Sequence, residues 1–396
     1  MEIINNLQLE FSNLEKPPPT TKGFQPVGDL KNSYVYSAYY DNRSTHDIIQ
    51  ITIMLTHSHS NEDFTCIYWN EHNEPIKLAT SIQLNSDWFV PIYNSGFVKC
   101  SLQGVKERVT EISLIPNKFR IPHLSYPQNI LHIKYPDSYK RNFTRCVPPM
   151  FGVKDRLALV QMIETDLLLG TEHFVMYNLR DNGVMDIIQH YQEMGVMEVL
   201  TWDLPIPSTS DGEVHYHAQY LHIHDCILRN LYVSRYVFLA DIDEVVVPKE
   251  FNRWQDIVDN ISMPSSSCGS LGFQSAFVLS QETPDKHSYP LKEKAEKYNL
   301  TYFTWTKRSQ FYPFGDRSKV MVDPRRVWIT RVHFVHEFIQ SYKDCYVDTQ
   351  IAFIHHYRLH KTPIAADNYD IHRWSIALIK NIVLVLNKTS NRIILG

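Results

Sequence analysis

The stretch Tyr236–Pro248 constrains this chain most. Tyr236-Val237-Phe238-Leu239-Ala240 is apolar or nearly so and contains no turn residue. Such a run reads as a strand buried on both faces, as in a parallel sheet. Asp241 and Asp243 follow with one residue between them, Val245–Val247 resume a strand, and Pro248 ends it. In extended chain, residues two apart point to the same side, so both carboxylates can reach one cation. Carboxylate oxygens suit hard ions such as Mn²⁺ or Mg²⁺. The carboxyl end of a parallel strand is also where open α/β sheets keep their ligands. A lone Asp-x-Asp is more often a solvated turn, and the apolar runs on both sides weigh against that here.

At 396 residues the chain has room for two domains, and 43% hydrophobic residues exclude global disorder. A formal net charge of −4 argues against a broad nucleic-acid surface. The six cysteines at 66, 100, 146, 226, 268 and 345 include no Cys-x-x-Cys pair, so a zinc ribbon is not indicated. Sequons begin at Asn42, Asn142, Asn260, Asn299 and Asn387. With the even cysteine count they lean toward an oxidising, secretory compartment. Residues 1–30 carry no apolar core of signal-peptide length, and Ile376–Leu386 is too short for a span and interrupted by Lys380. The expectation is a soluble chain, with any targeting segment or membrane anchor lying outside it.

Residues 1–30 read as a polar leader around Pro17-Pro18-Pro19. Residues 31–145 read as a small β-rich domain, an antiparallel sandwich with either an accessory structural role or a carbohydrate-binding one. Strands are expected at Ile48–Leu55, Phe64–Trp69 and Trp88–Tyr93. The prolines of 118–145 place a boundary there, and 146–396 forms the second domain. Its pattern alternates. A helix runs from Asp155 to a cap at Gly170, and a strand over His173–Tyr177 ends at Asn178. A helix closes at Gly195, and a strand over Val196–Trp202 ends at Asp203. This is a β-α-β unit. A third helix is expected over Val214–Tyr232. Asp225 falls on its apolar stripe, either pairing with Arg229 or pointing into a site. His215, His217, His222 and His224 offer no pair at i, i+4 on that helix, so zinc is not expected. Further strands are expected at Leu271–Leu279, Lys319–Val322, Val327–Val335 and Ile351–Tyr357. Residues 281–318 read as an irregular loop, and a last helix spans Tyr369–Leu386.

Taken in order, His173-Phe174-Val175-Met176-Tyr177-Asn178, Trp202-Asp203-Leu204-Pro205, Asp225-Cys226 and Asp241-Ile242-Asp243-Glu244 with Pro248 resemble glycosyltransferase family 92. Lys319–Pro324, Val332-His333, His356-Tyr357-Arg358 and Tyr36–Asp41 extend the resemblance to about residues 34–380. His224 departs from the family's usual Asn before Asp-Cys. The resemblance implies a GT-A fold, a Rossmann-like α/β domain with a mixed, mainly parallel sheet. It implies a UDP-sugar donor, a divalent cation and a glycan or glycoprotein acceptor. Animal members are β-galactosyltransferases that act on N-glycan core fucose with inversion, as type II Golgi membrane proteins. Residues 1–30 do not read as such an anchor, and the expectation is that it lies outside this chain.

On this reading Asp241 and Asp243 hold Mn²⁺ or Mg²⁺. His333 is a third ligand, with His336 and His356 as rivals. Lys319 adds charge at the diphosphate. Tyr177, Asn178 and Asp203 contact uracil and ribose, and Asp225 joins the donor-binding set. Asp316 and Glu337 are the candidates for the base that an inverting transfer requires. Two other classes stay open. One is a non-catalytic glycan- or nucleotide-sugar-binding relative. The other is a metal-dependent phosphoryl-transfer or hydrolytic enzyme, for which no Gly-rich phosphate loop is visible.

Overall fold

The computed structural model describes residues 14–18, 23–28, 30–85, 92–117, 127–150, 155–178, 183–206, 214–263, 266–281, 286–359 and 362–393. The chain divides into two compact units, Met1–Ser138 with Thr201–Tyr232, and Tyr139–Leu200 with Val233–Gly396. A boundary drawn along the sequence assigns 201–232 to the second domain; the contacts return this segment to the first.

The first unit is built on strands β1 (Gln25–Pro26), β2 (Tyr34–Asp41), β3 (Ile48–Thr56), β4 (Phe64–Trp69), β5 (Pro75–Leu78), β6 (Thr80–Asn85), β7 (Tyr93–Ser101), β8 (Glu111–Pro116) and β9 (Leu131–Lys134). They join in one sheet of order β5-β4-β8-β9-β2-β3-β7-β6, with β1 beside β2. The strand expected over Trp88–Tyr93 falls partly outside the described residues, and β7 begins at Tyr93. Both faces of β3 are covered, which explains its nearly unbroken apolar run. Ile49, Ile51, Ile53 and Leu55 enter a core with Cys66, Val98, Cys100 and Leu114. Gln50 lies on the other face and meets the helix Gln219–Asn230, where His224 Nε2 lies 3.2 Å from Gln50 Oε1. His224 also stacks on Phe97, ring centroids 4.2 Å apart. A disulfide joins Cys66 to Cys100. The helix expected from Val214 starts only at Gln219, because Tyr216, His217 and Ala218 all take positive φ. A cavity of about 580 Å³, bordered by Tyr68, Lys77 and Glu107, opens on this unit.

In the second unit β10 (Arg141–Met150), β11 (His173–Asn178), β12 (Met197–Thr201), β13 (Ser234–Leu239), β15 (Cys268–Phe273), β18 (Lys319–Val322) and β21 (Lys343–Tyr346) form a mixed sheet of order β12-β11-β10-β13-β18-β15-β21. β10 is parallel to both β11 and β13, and β18 is antiparallel to β13 and β15. A second sheet has the order β14-β22-β16-β17-β23, from Glu244–Pro248, Ala352–Tyr357, Ser275–Leu279, Lys307–Arg308 and Ala366–Asp367. The helix Arg156–Leu169 is capped by Asp155, whose Oδ1 accepts from Ala158 N at 2.9 Å, and closed by Gly170 at φ 123°. The helix Ser375–Ile393 lays Leu378, Ile379, Ile382 and Val383 into the same core.

Four expectations need correction here. The region read as a boundary, 118–145, runs into β10, a central strand that begins at Arg141; Arg141, Arg145 and the two prolines that follow conceal it. The proline pair coincides with a register shift against β11 between Val147 and Met150, where a missing N–H costs least. The run Leu271–Leu279 is two strands in different sheets, broken at Gln274. The run Val327–Val335 is a hairpin of β19 (Val327–Thr330) and β20 (Val335–Phe338), so His333 lies in a turn. The loop 281–318 holds two short helices, Lys292–Lys297 and Thr301–Thr304.

Candidate active site

β13 ends at Leu239 and β14 begins at Glu244, in a different sheet. Asp241–Glu244 therefore forms a turn, with Glu244 N donating to Asp241 O at 3.1 Å, not a continuation of extended chain. The chain must turn because the run before it belongs to one sheet and the run after it to the other. Asp241 and Asp243 nevertheless keep accessible side chains, 39% and 37% exposed.

The turn is braced from below by three buried side chains. Arg145, on β10, donates through Nη2 to the carbonyls of Asp241 and of Glu244, the latter at 2.9 Å. Its Nη1 reaches Asp166 Oδ2 at 2.5 Å, and both side chains are fully buried. Lys319, at the start of β18 and 2% exposed, places Nζ 2.9 Å from Asp241 Oδ2 and 3.2 Å from Glu244 Oε2. Glu244 Oε2 also accepts from the backbone N–H of Asp241 at 3.0 Å. His356, opposite Glu244 in the β14–β22 pairing, lies 3.3 Å from both Asp243 Oδ2 and Glu244 Oε1. The second of these lacks hydrogen-bond alignment, since Nδ1 finds no partner of good geometry.

The electrostatics follow from this packing. Burial works against the Asp241 carboxylate, but Lys319 beside it holds it below its ordinary range. Burial pushes the Glu244 carboxyl above its ordinary range, against the pull of Lys319. Burial opposes the charge of Lys319, and the two acids outweigh it and push its pKa up. The lysine therefore stays charged, and Asp241 stays ionised.

His333 takes its place through Ser318. His333 Nδ1 lies 2.9 Å from Ser318 O, and Ser318 Oγ donates to His333 O at 2.7 Å. A carbonyl oxygen can only accept, so the ring proton sits on Nδ1 and the lone pair on Nε2. Burial, then the nearby Lys319 charge, lowers the pKa of His333 and keeps the ring neutral. A neutral imidazole anchored through one nitrogen to a backbone carbonyl is the form in which histidine ligates metals. Two carboxylates and such a nitrogen suit Mn²⁺ or Mg²⁺ in kind. Among the described residues no three His, Cys, Asp or Glu side chains are drawn into one metal-holding group. The remaining donors would be water and phosphate oxygens, as is usual where a cation travels with its nucleotide.

The other predicted residues are dispersed. Tyr177 is fully buried at the end of β11, with Asn178 half-exposed beside it. Asp316 stands at the surface, 63% exposed, and Glu337 is exposed on β20. Asp203 and Asp225 belong to the first unit. Asp225 is fully buried and accepts from Ser37 Oγ at 2.5 Å, Tyr39 OH at 2.7 Å and Arg229 Nε at 3.2 Å. Those are the surroundings of a structural ion pair, the Arg229 alternative. Sequence reading gave no role to Arg145 or Glu244. Glu244 sat inside the acidic motif; Arg145 sat at the end of the stretch read as a domain boundary, where an isolated charge carries no signal.

Glycosyltransferase family 92 matches residues 141–380, more than half of the chain and nearly all of the second unit. The chain is similar to beta-1,4-galactosyltransferase galt-1 of Caenorhabditis elegans, at 24% identity over 87% of this chain and 78% of that protein. It is also similar to a galactan beta-1,4-galactosyltransferase of Arabidopsis thaliana, at 21% identity over 62% of this chain and 52% of that protein. A solved mycobacterial protein shares 10% identity and covers 46% of this chain and 54% of its own, at a TM-score of 0.24, too weak a likeness to bear on the fold. The matched span contains the acidic turn, its braces and the sheet that presents it. The chain belongs to glycosyltransferase family 92 and is a glycosyltransferase.

Proposed function

We propose that this enzyme is a metal-dependent, inverting galactosyltransferase of the GT-A fold. It moves galactose from UDP-galactose to a glycan hydroxyl, with core fucose of N-glycans as one candidate acceptor. The observation that carries the reading is the exposed Asp241/Asp243 pair, held at the carboxyl end of β13 by Lys319 and Arg145. The names of the two relatives supply the sugar.

Asp241, Asp243 and His333 would hold the cation. Bound there, Mn²⁺ or Mg²⁺ offsets the negative charge that grows on a departing diphosphate. Lys319 keeps Asp241 ionised and contributes its own positive charge to the same corner. Asn178, half-exposed at the end of β11 beside the buried Tyr177, is the second unit's candidate for contact with the uracil or ribose. Asp225 holds the first unit's helix to its sheet and is not assigned to the donor. The acceptor hydroxyl must lose a proton as it attacks, so a carboxylate must stand near it; Asp316 and Glu337 are the candidates, both exposed to the solvent from which an acceptor arrives. The secretory pathway, and the Golgi lumen within it, suits the disulfides and the five sequons. No helix among the described residues is long and apolar enough to cross a membrane.

The test is UDP release from a panel of UDP-sugars, with Mn²⁺ and fucosylated or galactosylated acceptors. UDP-galactose is expected to lead the panel. Asp243→Ala should lower kcat about a hundredfold or more, since each tenfold is about 1.4 kcal/mol of lost transition-state stabilisation. Full activity in that variant removes the assignment. UDP binding without turnover on every acceptor points instead to the non-catalytic relative.

A further inference from the structure

A cavity of about 140 Å³ opens on the second unit. Ser318 and Val320, the two neighbours of Lys319 in the chain, line it, and so does His333. His333 lies within electrostatic reach of Asp241 and Lys319, so this one residue belongs both to the cavity and to the acidic site. At about 30 Å³ per liquid water, the space holds several waters or one sugar ring. It is too small for a nucleoside diphosphate.

The lining is unusual for a small surface cavity. Phe314 and Tyr346 pack with centroids 4.0 Å apart and planes tilted by 35°, and Tyr346 is 59% exposed. Phe334, at the tip of the β19–β20 hairpin, adds a third ring, 37% exposed. Large aromatic rings left in water cost free energy unless something covers them. Gly272 lies opposite both Tyr346 and Val320 in the sheet. A methyl group at 272 would come within 2.9 Å of Tyr346 Cδ1. The missing side chain is what lets the tyrosine ring lie down on the strands.

Asp344 supplies the polar element. It is two residues from Tyr346 on β21, so both point to the same face. One of its oxygens accepts from Ser270 Oγ. Burial pushes this carboxyl above its ordinary range, against the Ser270 hydrogen bond. A partly desolvated carboxylate beside exposed aromatic rings matches a pyranose, which presents a C–H face to rings and vicinal hydroxyls to an acceptor oxygen.

We infer that this cavity is a subsite for one pyranose ring of the acceptor glycan, stacked on Tyr346 and Phe314 and anchored through its hydroxyls to Asp344. The inference rests on the glycosyltransferase reading for what the bound sugar does, but the binding itself can be measured without a donor.

The experiment is saturation-transfer NMR with methyl β-galactoside, methyl α-fucoside and methyl β-N-acetylglucosaminide as probes, on the full chain, with UDP binding measured in parallel. At least one glycoside should show ring-proton saturation. Tyr346→Ala and Asp344→Asn should weaken it tenfold or more. Gly272→Ala should weaken it while keeping all polar groups, and a thermal melt establishes that each variant is folded. In turnover the same variants should raise the acceptor KM more than they lower kcat. Equal saturation in wild type and in folded variants overturns the subsite, as does the absence of any glycoside signal. Saturation that behaves as expected in a protein that binds no UDP and releases none keeps the sugar site and removes the galactosyltransferase reading.

Discussion

Glu244 shows what a single residue holds at this site. It is 1% exposed, yet it meets Lys319, His356 and the backbone of Asp241. Removing one member of a buried charged group leaves the others uncompensated, typically at about 3–5 kcal/mol. Glu244→Ala should therefore lower the urea midpoint sharply, and Glu244→Ala with Lys319→Met should recover part of the loss; a double-mutant cycle reads the coupling. If the single and double variants are equally unstable, the lysine is not held by this acid. The sequence made the two exposed acids visible because they interrupt an apolar run. It could not show Glu244 as their support, because its partners come from β18 and β22, 75 and 112 residues on, at Lys319 and His356.

Among the elements, strands with unbroken apolar runs were legible and composite ones were not. Tyr236–Ala240 and Ile48–Leu55 read correctly because both faces of each strand are covered. β10 was missed because its chemistry is mixed: Arg145 is buried there only because Asp166 and two carbonyls receive it. The helix Gln219–Asn230 offers a test at this scale. His224 is 4% exposed against Phe97, and burial, then the charge of Arg43, lowers its pKa to about 3. The folded value lies below the ordinary 6.5, so unfolding takes up a proton. Stability from the neutral ring is fully present above 6.5 and is lost as pH falls toward 3. The first unit should lose denaturant resistance on acidification from 6.5. His224→Phe, which can keep the stack on Phe97, should remove most of that slope; an unchanged slope places the titration elsewhere.

For the whole molecule, the disulfides and the sequons bear on the compartment in which it folds. Cys66–Cys100 and Cys268–Cys345 close loops of 34 and 77 residues. On the loop-entropy account each contributes about 3–5 kcal/mol, so reduction should lower the melting temperature and Cys268→Ser with Cys345→Ser should reproduce part of that loss. Asn42, Asn142, Asn260, Asn299 and Asn387 are all exposed. Secreted from animal cells, the chain should lose mass stepwise under peptide N-glycosidase, and a single unshifted band argues against passage through that pathway. The acidic turn joins a strand of one sheet to a strand of another and is stitched from beneath by Arg145. The rings beside it sit on a hairpin tip, a loop and an edge strand that Cys268–Cys345 ties to its neighbour. Drift in sequence can therefore reshape what the enzyme accepts while leaving what it activates untouched, and relatives that decorate different sugars should diverge first at the three rings, Phe314, Phe334 and Tyr346.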